Sequence, residues 1–502
     1  MPNWLVAAAI GLCLAAPAVC AGVREQGPKD AGPSGLLAGV ARADITPPAG
    51  IAHLNWGSQT HVEASGIDPA GMYATALVLS DGKQKFAMVD IDRLGVSGLD
   101  AAIQRASGLT GIPAAHIRLG ATHTHAGPAY QEEKGPVGKD PAKHLPVIEA
   151  YERALIDKIA GVVFEANSRL RPVHAYGKKG TGTININRRM PAQGNWPPAV
   201  GSNPAGFTDR DLVVIRLDDS NGNPYAVLVN YQCHGIVLTY DNKLISPDWV
   251  GMVRKVVENA LPGALSLYFQ GAAGDQGPVE WGTGDVSVAH RLGSILGHQA
   301  AALAIEVETV KRTPRLEGYI ESTAYAANER WRVEGPREAT LRFASRIVEV
   351  PRRRYSPEEI GRMERQVAEA RQRVEKEKLS GDAWRMYQAE ARLRRFANLL
   401  EQWKRPYDTT PLAVEVQALR IGEMALLAMP GEPFARIGAD IRKASPFPVT
   451  MFCGYSSGRG GDYIPMESDY PHGGYEVERT PYGIGAAEKL IRDSIDLLGK
   501  LR

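Results

Sequence analysis

The run Ile117-Arg118-Leu119-Gly120-Ala121, followed by Thr122-His123-Thr124-His125-Ala126-Gly127-Pro128, constrains the chain more than any other stretch. Its first part reads as a strand, and Gly127-Pro128 closes it with a turn. In extended backbone, residues two apart share a face, so both imidazoles can reach one cleft. Imidazole is the commonest metal ligand and a proton handler near neutral pH. Two core histidines with satisfied rings would give the same local pattern, so the meaning of the pair depends on what the rest of the chain brings to it.

Further strand-like runs fall at 74–79, 86–91, 173–177, 211–217, 225–233, 265–270, 412–419, 424–429 and 449–454. Helical periodicity fills 146–168, 248–258, 286–307 and the residues after Phe434. Asp90 and Asp92 close the second run at strand spacing; they either orient the histidines or mark a solvated strand end. Residues 356–405 differ in character. Ser356, Pro357 and Glu359 form a helix start, Ile360, Met363, Val367 and Val374 follow, and Ser380-Gly381-Asp382 breaks the run. Trp384, Tyr387, Phe396, Leu400 and Trp403 mark a second helix ending before Pro406. This predicts a helical hairpin inserted into an α/β body. Its many Arg and Lys read most simply as a solvated face, with a lid or a dimer arm as alternatives.

A hydrophobic content of 44% and a charged content of 23% suit a globular protein, and a net charge of +2 lacks the basic excess of a nucleic-acid binder. Residues 4–21 are apolar and end in Val19-x-Ala21, so 1–21 reads as a secretory signal and 22–37 as a polar, flexible leader. The protein is expected to be exported, periplasmic or secreted; lipid attachment at Cys20 fits poorly after Pro17-Ala18-Val19. No later stretch is long enough to span a membrane. The remaining thiols, Cys233 and Cys453, could pair or stay buried and free.

Chemically able residues recur where strands run out: His123, His125, His234, Asp275 and Glu432. Loops converge at such ends in α/β proteins. Two His and one carboxylate leave metal positions open, as catalytic rather than structural zinc requires. Taken singly, His234 is equally a core histidine and Glu432 a carboxylate favoured at a helix N-terminus.

Seven short motifs occur in order: Ala43-Asp44-Ile45-Thr46-Pro47, the segment 121–128, Asn185-Ile186-Asn187-Arg188, Cys233-His234-Gly235, Gly274-Asp275, Pro430-Gly431-Glu432 and Asp462-Tyr463-Ile464-Pro465. Together they resemble the neutral (non-lysosomal) ceramidase family in its N-terminal catalytic domain, over roughly residues 38–495. The resemblance implies an α/β fold of mixed β-sheets flanked by helices, one catalytic domain over 38–502 with the 356–405 hairpin inserted. It implies a zinc-dependent hydrolase with one Zn2+ per chain, in which activated water attacks the carbonyl of an N-acyl amide.

Matched position by position, His123, His234, Glu432 and Tyr463 correspond to zinc ligands, His125 to the histidine beside the reacting carbonyl, and Arg188 to an active-site arginine. The Tyr-Ile-Pro context favours Tyr463 over Tyr455 and Tyr470. Asp275 is expected to orient a ligand or accept a hydrogen bond. Two departures bear on substrate. The family's Asp-Val-Ser-Pro is Asp275-Gln276-Gly277-Pro278 here, and the chain ends too soon after Tyr463 for the C-terminal β-sandwich such ceramidases carry. The expected substrate is therefore small and amphiphilic or N-acylated (another N-acylated amine, a small peptide-like amide or an ester), not necessarily ceramide. An esterase or lactonase with the same centre, or a metal-bearing binding protein, is the alternative; peripheral membrane contact and dimer formation are left open.

Overall fold

The computed structural model describes residues 35–53, 61–130, 141–194 and 197–502. The signal and leader expected over 1–37 lie outside them, apart from the last three residues. Of these, Leu36 is buried and Leu37 opens the first strand.

The large sheet is built from β1 (Leu37–Asp44), β2 (Tyr73–Ser80), β3 (Lys85–Ile91), β4 (Ile117–Ala121), β5 (Arg171–Thr181), β6 (Asp211–Asp219), β7 (Pro224–Tyr231) and β8 (Leu265–Gln270). Its spatial order is β8-β7-β6-β5-β1-β2-β3-β4. The outermost pair at each edge, β3–β4 and β7–β8, is parallel, and the pairs between them are antiparallel. After a two-stranded ribbon, β9 (Val310–Glu321) and β10 (Tyr325–Pro336), a second sheet forms from β11 (Leu341–Val350), β12 (Leu412–Ile421), β13 (Met424–Ala428) and β14 (Val449–Cys453), in that order. The sheets are mixed and open, as expected for this α/β chain.

Both faces of the large sheet are covered, which is why its strands are apolar almost throughout. On β6, Val213, Ile215 and Leu217 face the small sheet, packing in one cluster with Leu419, Leu426 and Met451. Leu212 and Val214 point the other way, toward α3 (Trp249–Ala260) and α4 (Val286–Ile305). Near β1–β4 the outer face is covered by α1 (Asp100–Thr110) and α2 (Pro141–Ser168). The small sheet carries α7 (Ala435–Ala444) and α9 (Ala486–Gly499) on its own outer face. The result is four layers, helix–sheet–sheet–helix, with strand ends gathered at one rim.

The residues expected to form a hairpin are two helices, α5 (Pro357–Ser380) and α6 (Ala383–Trp403). Ser356 and Glu359 make the reciprocal capping box that starts α5, and Gly381 ends it at φ 70°. The pair has its own small core of Met363, Val367, Ala370, Phe396 and Trp403. At its base, Tyr355 stacks on Trp403 with ring centroids 4.4 Å apart. Among the described residues, no helix is long and apolar enough to cross a membrane.

One sequence expectation needs correction. Asp90 and Asp92 neither orient the histidines nor face solvent: both are buried and pair with Arg254 of α3, Asp90 at 3.0 Å. Opposed charge on the covering helix is what captures them. The stretch 310–350, to which the sequence reading assigns no element, forms three strands. Cys233 and Cys453 are both free and buried.

Candidate metal centre

The centre forms where β4 runs out. Thr122 N donates to Ile91 O and His123 N to Arg93 O, which draws the chain across the end of β3. His123 is held at φ 64°, a conformation side chains rarely adopt. Thr124 then pairs in parallel with Gly235, and His125 N donates to Gly235 O at 3.0 Å. This lays His-x-His beside Cys233-His234-Gly235. A side chain on Gly235 would stand 2.7 Å from His123 O, so only glycine permits the approach. Gly274 has the same reason to be glycine, since a Cβ there would collide with Glu432 O.

Three imidazoles, His123, His125 and His234, offer ring nitrogens that all lie within 4.8 Å of one another. His123 Nδ1 bonds to Leu94 O at 2.5 Å and His234 Nδ1 to Ala273 O at 2.7 Å. Backbone carbonyls accept, so each Nδ1 carries the proton and each Nε2 presents a lone pair. Burial, first of all, holds both rings well below the usual histidine range, hence neutral. His234 Nε2 is fully buried and makes no hydrogen bond. It faces Glu432 Oε2 at 3.2 Å, and His123 Nε2 faces the same oxygen at 3.5 Å. His125 Nε2 lies 3.3 Å from His123 Nε2.

These separations test the site for a metal. Ligands about 2.0–2.1 Å from a tetrahedral ion stand about 3.3 Å from each other. Neutral imidazoles, an orphaned Nε2 and a carboxylate at that spacing fit a divalent cation. His125 Nε2 and Glu432 Oε2 both meet the spacing with respect to His123.

Glu432 reaches the centre on a two-residue parallel pairing in which it is registered with Tyr463, so the two residues share a face. The Tyr463 phenol oxygen accepts from Arg188 Nη2 at 3.0 Å. Tyr455, at φ 52°, lays its ring 4.4 Å from that of His123 and donates to Glu432 Oε2 at 3.4 Å. Arg188 is buried beside them. Burial opposes its charge, but Tyr463, Glu476 and Glu432 outweigh that and raise its pKa. Its Nε donates to Glu476 Oε1 at 3.0 Å. Glu476, on the five-residue helix α8 (Tyr475–Arg479), was not among the sequence-derived candidates.

Asp275 stands apart from the imidazoles. Its Oδ1 accepts from Ala435 N at 2.7 Å and its Oδ2 from Asn187 Nδ2 at 3.2 Å. Burial pushes its carboxyl up to about 7. It ties the 274–278 turn to the first turn of α7 and to the Asn-Ile-Asn-Arg segment, and is a positioning residue here. Gly277 lies over Arg188: a Cβ there would stand 3.2 Å from Arg188 Cβ.

The sequence profile described as "Neutral/alkaline non-lysosomal ceramidase, N-terminal" matches residues 36–278. Over that stretch, just under half of its length, the chain resembles that ceramidase family. Neutral ceramidase of Pseudomonas aeruginosa is 23% identical to it over 396 residues, 73% of this chain and 57% of that protein. Neutral ceramidase A of Dictyostelium discoideum is 28% identical over 156 residues, 30% of this chain and 21% of the other. The chain thus aligns with about a fifth to somewhat over half the length of these curated relatives. The crystal structure of neutral ceramidase from P. aeruginosa superposes with a TM-score of 0.61 at 20% identity, over 93% of this chain and 74% of that one. A ceramidase complexed with C2 superposes with a TM-score of 0.62 at 18% identity, over 93% and 75%. At such identities the ceramidase likeness in structure is a likeness of fold.

Proposed function

We propose that the chain is an exported zinc-dependent hydrolase of N-acyl amide bonds, acting on a small amphiphilic amide. The observation that carries this reading is the buried, unpartnered Nε2 of His234 facing Glu432 Oε2 at 3.2 Å. Two anchored neutral imidazoles and an acid leave a buried set of lone pairs that a bound cation would satisfy. In this reading His123, His234, Glu432 and Tyr463 hold one Zn2+. A zinc ion bound there would lower the pKa of water to about 7 and polarise a carbonyl.

The chain's own residues supply the rest. Arg188 keeps a permanent positive charge beside Tyr463, where carbonyl oxygen gains charge during attack. His125, the least buried of the three imidazoles, is placed to pass a proton from Nε2 to a leaving amine. Asp275 and Glu476 fix the backbone and the guanidinium behind them. Export rests on the apolar residues 4–21 and their small-residue end.

The test is elemental analysis of the purified protein, joined to relative kcat/KM on matched N-acyl amides and esters. One equivalent of zinc, with turnover of amides lost on chelation and restored by Zn2+, is expected. Turnover that survives metal removal, or esters strongly preferred over amides, defeats the reading.

A further inference from the structure

A pocket lies between the two sheets, away from the metal centre. Its walls include Phe86, Phe269, Phe343, Leu419 and Leu426, and its volume is about 40 Å³, room for about three waters. One side chain on this apolar wall is unexpected. Arg118, on β4, is only 8% exposed, and its Nε, Nη1 and Nη2 are all buried without a hydrogen-bond partner. A guanidinium has five donors and cannot shed its charge, so burying it unpaired is costly.

The neighbouring polar groups are already engaged. Glu415 is the carboxylate whose charge favours the guanidinium, but it is engaged by Gln417 Nε2 at 2.6 Å and forms no ion pair with Arg118. The Ser456 hydroxyl donates to Gly454 O at 3.0 Å. His116 Nδ1 meets Lys85 O at 3.1 Å, its ring stacked on Phe86 at 4.3 Å. Burial pushes the Cys453 thiol up to about 12, so it supplies no counter-charge. Five donors in a planar fork match a carboxylate bidentately. The aromatic and leucine walls disfavour a strongly hydrated multivalent anion and favour an alkyl chain.

We propose that this cleft binds a short monocarboxylate, its carboxylate on Arg118 and its chain among Phe86, Phe269, Leu419 and Leu426. The site shares no residue with the metal centre and stands whether or not the chain hydrolyses amides.

Calorimetric titration of the full chain with acetate, ethanol and chloride tests this. Saturable binding of one acetate is expected, with ethanol and chloride about tenfold weaker or more. Arg118→Met should weaken acetate by at least about tenfold while leaving turnover of the best amide unchanged. Leu419→Trp, which fills the cleft and keeps the arginine, should weaken it as well; it decides the matter if R118M does not fold. Acetate binding unchanged in either folded variant, or equal binding of ethanol or chloride, overturns the proposal.

Discussion

Arg188 holds two partners through two nitrogens at the same distance: Nη2 to the Tyr463 phenol and Nε to Glu476 Oε1, each 3.0 Å. Glu476 thereby fixes the guanidinium that fixes the phenol, although it lies far from the imidazoles in sequence. Both Arg188 and Glu476 are almost wholly buried. Removing one partner of a buried ion pair leaves an uncompensated charge and costs about 3–5 kcal/mol. Glu476→Ala should therefore lower Tm by several degrees. If Tyr463 is a ligand, it should also weaken zinc, read by chelator competition, by about tenfold or more. Zinc affinity unchanged in a folded E476A protein would remove Tyr463 from the ligand set.

The three imidazoles divide into roles that metal content can separate. His234 is anchored by Ala273 O and has no other use for its Nε2, so His234→Ala should lose zinc and turnover together. His125 stands 3.3 Å from His123 Nε2 and is less enclosed. His125→Ala should keep one zinc per chain while kcat falls by about a hundredfold or more, the range of general acid–base catalysis. Loss of zinc in H125A would instead make it a third ligand. Elemental analysis beside kcat distinguishes the two.

What could be read from the chain follows from where each residue's neighbours come from. His123, His125 and His234 end apolar strands, and a polar residue where a strand stops is visible locally. Gly235 and Gly274 were legible as motif members, but their reason, contact with the backbone of His123 and Glu432, exists only in three dimensions. Glu476 sits in Tyr475-Glu476-Val477-Glu478-Arg479, which looks like any solvated helix turn; only the need of a buried Arg188 for a counter-charge could have pointed to it. The ribbon β9–β10 was invisible because neither face is covered over most of its length, so no alternation of apolar and polar residues marks it. Asp90 and Asp92 show the reverse failure. Their spacing was right for one shared face, but α3 covers that face and brings Arg254.

Asp248 gives the fold a pH dependence of known sign. It accepts from Leu238 N at 3.0 Å and Trp249 N at 2.7 Å, yet burial pushes its carboxyl up to about 7. In the unfolded chain it titrates near 4. Between about pH 4 and pH 7 the folded form keeps a proton that the unfolded form has lost, so this group's contribution to stability falls as pH rises and levels off above 7. Asp248→Asn has no such titration. Urea unfolding of both proteins across this range should show the advantage of the wild type over D248N shrinking steadily as pH rises. A difference that stays constant, or grows, would mean that Asp248 is ionised throughout.

Gly277 occupies the place where the resemblance to ceramidases leads one to expect serine, and the structure sets the terms for restoring it. A Cβ there would stand 3.2 Å from Arg188 Cβ and 3.8 Å from Ile236 Cδ1. That is tight, and because Arg188 Cβ moves only with its own backbone the turn must give by a few tenths of an ångström, so Gly277→Ser should fold with a loss of about 1–3 kcal/mol. Its hydroxyl would enter the space beside the arginine, adding one donor where the proposed reading puts the substrate. If the missing hydroxyl is what separates this chain from ceramide hydrolysis, G277S should raise kcat/KM for a ceramide relative to a simple N-acyl amide by about tenfold, the discrimination one well-placed hydrogen bond supplies. Parallel assays of the two substrates with wild type and G277S decide it. An unchanged ratio in a folded, zinc-loaded G277S protein would place the determinant elsewhere, with the 357–403 helices as the next part to alter.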